Sequence, residues 1–174
     1  MPIYLYFSVN WQFYYDDINL IIHFMLLDLG AIMGRCYNNI VIDASIEAVW
    51  QQIANFHDMS WAKGVITSLD KVGTTSGTEV GAKRILNGVI HETLVSVDTS
   101  NYTFTYSIDD GPGAIAKSAV DNYLGMVNLS ESSTGVLVEW SSSFTSDNEN
   151  AVTEFCDPIY MALLGALKNS LDTA

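Results

Sequence analysis

The sequence predicts an α+β domain: a seven-stranded antiparallel sheet curled around a long C-terminal helix, with two short helices after the first strand. Three observations predict it. Six strand-like runs follow one another between residues 65 and 144, separated only by short turn-rich links. Links that short join neighbouring antiparallel strands. Within the runs apolar and polar residues alternate, as on a sheet with one covered face. The chain then closes with one long stretch that is apolar at helical spacing.

Each element has its own signal. "CYNNIVID", 36–43, reads as the first strand. "DASIEAVWQQIANF", 43–56, reads as a helix, with Ser45 as cap and Ile46, Val49, Trp50 and Ile53 recurring at helical spacing. "HDMSWAKGV", 57–65, follows as a second short helix or a turn. The strand runs are "VITSLDKV", "TEVGAKRIL", "VIHETLVSV", "YTFTYSI", "NYLGMVNLS" and "GVLVEWSSSF". Tyr102, Phe104, Tyr106 and Ile108 alternate with Thr103, Thr105 and Ser107. Val136, Val138, Trp140 and Phe144 alternate with Leu137, Glu139 and Ser141. Turn residues punctuate the runs at 73–77, 87–88, 98–101, 109–113 and 130–135. In the closing stretch, 148–171, Val152, Phe155, Ile159, Leu163, Ala166 and Leu167 form the apolar stripe. Pro158 is expected to bend that helix or break its first turns.

Composition narrows the function classes. The chain has 174 residues, 20 Asp and Glu against 7 Lys and Arg, and a net charge of −13. Such a surface repels phosphates, which argues against nucleic acid and anionic membranes as partners. Cys36 and Cys156 lie far apart in no CxxC motif, and His23, His57 and His91 show no ligand spacing, so neither a structural disulfide nor a zinc site is expected and no metal or redox cofactor is implied. A reduced, cytoplasmic compartment is the default expectation. Residues 1–32 are aromatic and aliphatic without Lys or Arg. A secretory signal needs a positive start, and Asp16, Asp17, Asn19, His23 and Asp28 interrupt any membrane span, so no stable insertion is expected. Residues 1–32 are read as an appendage to the body, 33–174. The alternative is a helix packed on the body or on a second subunit, which would make a homodimer.

The hairpin "KRILNGVIHETL", 83–94, holds the polar residues of greatest interest. Asn87-Gly88 favours a two-residue turn, which pairs Leu86 with Val89 and puts Arg84 and Glu92 on opposite faces. A three-residue loop with Gly88 in a left-handed bulge position shifts the parity and puts both on one face with Ala82, Ile90 and Leu94. The residues alone leave both registers open.

The segments "VIDASIEAVWQQIANFHDMSWAKGV", "EVGAKRIL", "HETL", "YTFTYSIDDGP", "NYLGMVNL" and "LVEWSSSF" resemble, in order and spacing, the polyketide cyclase/dehydrase and lipid-transport family. The resemblance, which covers roughly residues 38 to 170, implies membership of the START-like, Bet v 1-like (SRPBCC) superfamily. It implies a helix-grip fold with an apolar cavity between sheet and helix. It also resembles the lachrymatory factor synthase branch, in which an Arg and a Glu on adjacent strands project into the cavity; Arg84 and Glu92 match those positions. Fold alone does not name a reaction.

Expectations for function follow. The first is binding of a small hydrophobic or amphipathic molecule in a cavity lined by Trp50, Trp61, Phe104, Tyr106, Tyr123, Trp140, Phe155, Ile159 and Leu163. The second is a cyclase, dehydratase or isomerase with Glu92 as proton carrier and Arg84 as anion stabiliser. The third is a protein-interaction or dimerisation module. Against the first two stands a purely structural Arg84–Glu92 ion pair. His57 and His91 are expected at the surface. Residues 109–120, "DDGPGAIAKSAV", are read as a gate over the cavity or a long hairpin loop.

Overall fold

Strand alternation and one helical stripe leave a single way to cover the apolar faces: the inward side chains of a curled sheet against the last helix. The structure, a computed structural model, describes residues 33–172 and has that arrangement. Strands β1 (Gly34–Ile42), β2 (Leu69–Val72), β3 (Lys83–Leu86), β4 (Ile90–Asp98), β5 (Thr103–Asp110), β6 (Asp121–Ser132) and β7 (Gly135–Thr145) form one sheet in the order β1-β7-β6-β5-β4-β3-β2. Every neighbouring pair is antiparallel. Helix α1 (Ile46–Ile53) follows β1, and α2 (Glu149–Asp172) closes the chain. The appendage read over residues 1–32 lies outside the described residues.

The period-2 pattern is clearest on β7, where Val136, Val138, Trp140, Ser142 and Phe144 are buried and every residue between them is partly exposed. The same inward face continues through Tyr123, Gly125, Val127 and Leu129 on β6 and Phe104 and Tyr106 on β5. It ends on Glu92 and Leu94 of β4 and Arg84 and Leu86 of β3. Register shifts in the β4–β5 pairing, between Leu94 and Ser96 among others, add the local twist that curls a sheet. Helix α1 is capped as expected, with Ser45 Oγ accepting from Ala48 N at 3.2 Å.

Three local expectations change. Only one short helix follows β1; the 57–65 segment is a run of turns. It has i→i+3 bonds such as Ala62 N to Met59 O, and Gly64 in a left-handed conformation (φ 84°) stops it from propagating. Pro158 does not break the terminal helix, which is continuous over Glu149–Asp172. The buried stripe of α2 is Val152, Cys156, Tyr160, Leu163, Leu164 and Leu167, so Phe155 and Ile159 stand beside it, partly buried. Among the described residues no helix is long and apolar enough to cross a membrane, and no cluster of metal-ligating side chains occurs.

Candidate functional site

The β3–β4 register decides what faces inward. Leu86 pairs with Ile90, Ile85 with His91 and Arg84 with Glu92. The loop is therefore three residues long, Asn87-Gly88-Val89, the one of the two open registers that puts Arg84 and Glu92 on a common face. Asn87 (φ 53°) and Gly88 (φ 72°) are both left-handed, a conformation that Gly and Asn tolerate best. The reason lies outside the hairpin. Asn87 Oδ1 accepts from Thr67 N at 2.7 Å and Ser68 N at 3.3 Å, and Asn87 Nδ2 donates to Val65 O at 3.1 Å. Stitched to the 65–68 segment, the asparagine is held in a wider loop.

Arg84 and Glu92 consequently share the inward face, 3% and 6% exposed. Arg84 Nε donates to Glu92 Oε2 at 2.7 Å, and Arg84 Nη1 donates to the Phe56 carbonyl at 2.7 Å. The guanidinium carbon lies 3.7 Å from the centre of the Phe56 ring, a cation–π geometry. Arg84 is thus held on three sides. Glu92 is not: among the described residues no group donates to its Oε1. Burial raises the proton affinity of Glu92 above the usual carboxylate range, and Arg84 opposes that rise only in part.

A consequence for stability follows. A carboxyl whose folded-state pKa stands above its unfolded value holds its proton more tightly when folded, so its contribution is most favourable at low pH and is lost as pH rises through the folded pKa. Relative to Glu92→Gln, the wild type is therefore expected to lose stability as pH rises above the ordinary glutamate value of 4.5. Urea unfolding of both proteins between pH 4 and 8 measures this; a gap independent of pH, or one that moves the other way, contradicts it.

Beside the ion pair lies a cavity of about 40 Å³ between the sheet and α2, lined by Arg84, Glu92, Tyr106, Tyr123, Trp140, Phe155, Ile159 and Leu163 among the residues expected, with Met59, Ile66, Leu86, Ile90, Ile108, Ile115, Cys156 and Tyr160. Trp50, Trp61 and Phe104 are outside that lining. Trp50 and Phe104 pack on each other with ring centres 6.3 Å apart, and Trp61 stands 6.5 Å from Trp140. A second, wider groove of about 650 Å³ runs along the outer side of the 60–65 turn and α2, where Trp61, Lys63, Val65, Ala162, Gly165 and Ala166 line it. The 59–66 segment is thus the wall between the two, with Met59 and Ile66 facing in and Trp61 and Val65 facing the groove.

A hydrogen-bonded chain crosses the interior. Trp140 Nε1 donates to Tyr106 OH at 2.8 Å, Tyr106 OH to Tyr160 OH at 3.2 Å, and the Tyr160 and Tyr123 hydroxyls lie 2.6 Å apart. Tyr123 OH donates to Cys156 Sγ at 3.2 Å. Burial pushes all three phenols far up, so they remain neutral donors. Tyr160 and Cys156 were not among the residues singled out from sequence; their i, i+4 spacing with Val152 and Leu164 was the available signal. Ser142 Oγ, also buried, stands beside the Cys36, Tyr123 and Tyr160 groups. His91 is exposed on the opposite face as expected, while His57 is only partly exposed and its Nε2 lies 2.9 Å from Lys83 O. The 109–120 segment is tied down: Asp110 Oδ1 accepts from Gly111 N and Lys117 N, and Ile115, 1% exposed, caps the cavity.

Comparison with known proteins places this architecture. A protein of Nitrosospira multiformis is 39% identical, with a TM-score of 0.75 over 78% of this chain and 94% of its own. The protein XoxI of Bacillus cereus is 29% identical, with a TM-score of 0.63 over 79% and 94%. Norcoclaurine synthase of Thalictrum flavum shares the fold at 14% identity, with a TM-score of 0.64 over 80% and 87%. No curated protein sequence matches the chain. The family model described as polyketide cyclase/dehydrase and lipid transport matches residues 33–172, the same residues that build the sheet, the closing helix and the buried Arg–Glu pair, and the chain belongs to that family.

Proposed function

We propose that the protein binds a small apolar or amphipathic molecule carrying a hydrogen-bond donor, between the sheet and α2. The observation that carries this reading is Glu92: a buried carboxylate held by Arg84 through one oxygen, with the other unbonded, in the wall of an otherwise apolar cavity. A carboxylate in an apolar wall is costly unless its oxygens are hydrogen-bonded, and a donor on a guest lowers that cost. Family membership supports a small hydrophobic ligand as the guest.

The cavity of about 40 Å³ has room for roughly one water, whereas drug-sized ligands occupy ~300–1,000 Å³. A guest therefore enters by displacing side chains. The 59–66 wall is the economical place for this, because it is a run of turns backed by the outer groove, and Met59 is flexible enough to repack.

One observation favours a second reading, proton-transfer chemistry of the cyclase, dehydratase or isomerase kind. Burial keeps Glu92 closer to accepting and releasing a proton near neutral pH than an ordinary carboxylate, and Arg84 beside it can stabilise an anion. Glu92→Gln keeps an oxygen in place, so it should abolish turnover while leaving affinity within a few-fold.

Titration with the neutral fluorescent amine N-phenyl-1-naphthylamine tests the binding reading. Saturable one-to-one binding is expected, and Leu163→Trp, which fills the cavity, should weaken it by at least ~10-fold if a packed guest loses the ~1.4 kcal/mol that this corresponds to. No saturation with a folded protein, or binding untouched by Leu163→Trp, overturns the proposal.

A further inference from the structure

The fold brings together two side chains that nearly the whole described chain separates. Cys36 lies on the inward face of β1, opposite Ser142 of β7. Cys156 lies on the buried stripe of α2. Both are free thiols, 2% and 3% exposed, and each stands near enough to shift the other's proton affinity. One turn of contact further along, Asn38 Nδ2 donates to Asp157 Oδ1 at 2.8 Å, which holds strand and helix in register at this point. Tyr123 OH donates to Cys156 Sγ at 3.2 Å, which ties the helix thiol to β6 as well.

We infer that Cys36 and Cys156 form a site of reversible covalent modification, at which a small peroxide converts the two thiols into a disulfide that ties β1 to α2. The Cys36 thiolate attacks one oxygen of hydrogen peroxide; the O–O bond breaks, hydroxide leaves and takes up a proton as water, and Cys36 becomes a sulfenic acid. The Cys156 sulfur gives up its proton and attacks that sulfur; the S–O bond breaks and a second water leaves. Two thiols and one peroxide thus become one disulfide and two waters. Cys36 is the attacking sulfur because Cys156 beside it lowers its proton affinity, while Cys36 and burial raise that of Cys156. Burial makes the reaction slow and selects small oxidants. A cross-link that spans almost the whole domain strongly restricts the unfolded chain. The chemistry is independent of whether a ligand occupies the cavity.

The test uses the full chain, whose only cysteines are these two. After hydrogen peroxide treatment and alkylation under denaturing conditions, the protein is expected to be lighter by two hydrogens, unalkylated and monomeric. A peptide linking the segments around Cys36 and Cys156 should appear, and Tm should rise on the order of 10 °C, all reversed by a dithiol reductant. Cys156→Ser should stop at a sulfenic acid that dimedone traps on Cys36. Should that variant fail to fold, the wild-type peptide map alone decides. Two alkylatable thiols after treatment, cross-links only between molecules, or sulfinic acid without a disulfide overturn the inference.

Discussion

Arg84→Met is expected to destabilise the protein by about 3–5 kcal/mol at neutral pH, the usual cost of removing one partner from a buried ion pair. The methionine fills much of the same space but leaves Glu92, 6% exposed, without the Arg84 Nε that donates to it, and the Phe56 carbonyl without the guanidinium that it accepts from at 2.7 Å. Glu92 must then take up a proton to stay inside. Arg84→Met combined with Glu92→Leu should recover most of the loss, because an apolar pair carries no uncompensated charge; the orphaned Phe56 carbonyl keeps a residue of ~1 kcal/mol. Urea unfolding of wild type, both single variants and the double variant gives the coupling directly. A single variant within ~1 kcal/mol of wild type, against the cost expected of a broken buried pair, shows that the pair is far more hydrated than its burial indicates.

Gly125→Ala is expected to cost about 2–3 kcal/mol, the overpacking range, although alanine is the smallest possible addition. Gly125 faces inward on β6 directly opposite Tyr106 of β5. A Cβ there overlaps the Tyr106 ring and falls 2.7 Å from its hydroxyl. The ring has nowhere to retreat: its hydroxyl accepts from Trp140 Nε1 at 2.8 Å and donates to Tyr160 at 3.2 Å. The missing side chain at position 125 is therefore what lets the phenol lie across the strand and join the interior chain of donors. Combining Gly125→Ala with Tyr106→Leu, which removes the far end of the ring, should cost clearly less than the sum of the two. Strict additivity in thermal or urea unfolding would show that the ring moves aside freely.

The elements most legible in the sequence were those with a strong period. β7 was read within a residue of its observed bounds, because a face buried at every second position imposes a pattern that side chains cannot hide. The stripe of α2 was read correctly at Val152, Leu163 and Leu167, but Phe155, Ile159 and Ala166 stand beside it. Phe155 and Ile159 are more apolar by type than Cys156 and Tyr160, yet Tyr160 is the more deeply buried because the Tyr106 and Tyr123 hydroxyls satisfy its own. A polar group that finds its partner on another element is invisible to a count of apolar residues.

By itself the sequence determined the order of elements, the antiparallel meander, the closing helix and an inward-facing pattern, all products of local periodicity and short links. It also singled out Arg84 and Glu92 as residue types worth following. Which face they occupy was decided only by tertiary structure, because Asn87 is bound to the 65–68 segment and that contact widens the turn. The small free volume beside them and the meeting of Cys36 with Cys156 were decided there too. Both depend on how side chains from distant strands and the last helix fill one shared space, and no window along the chain contains that information.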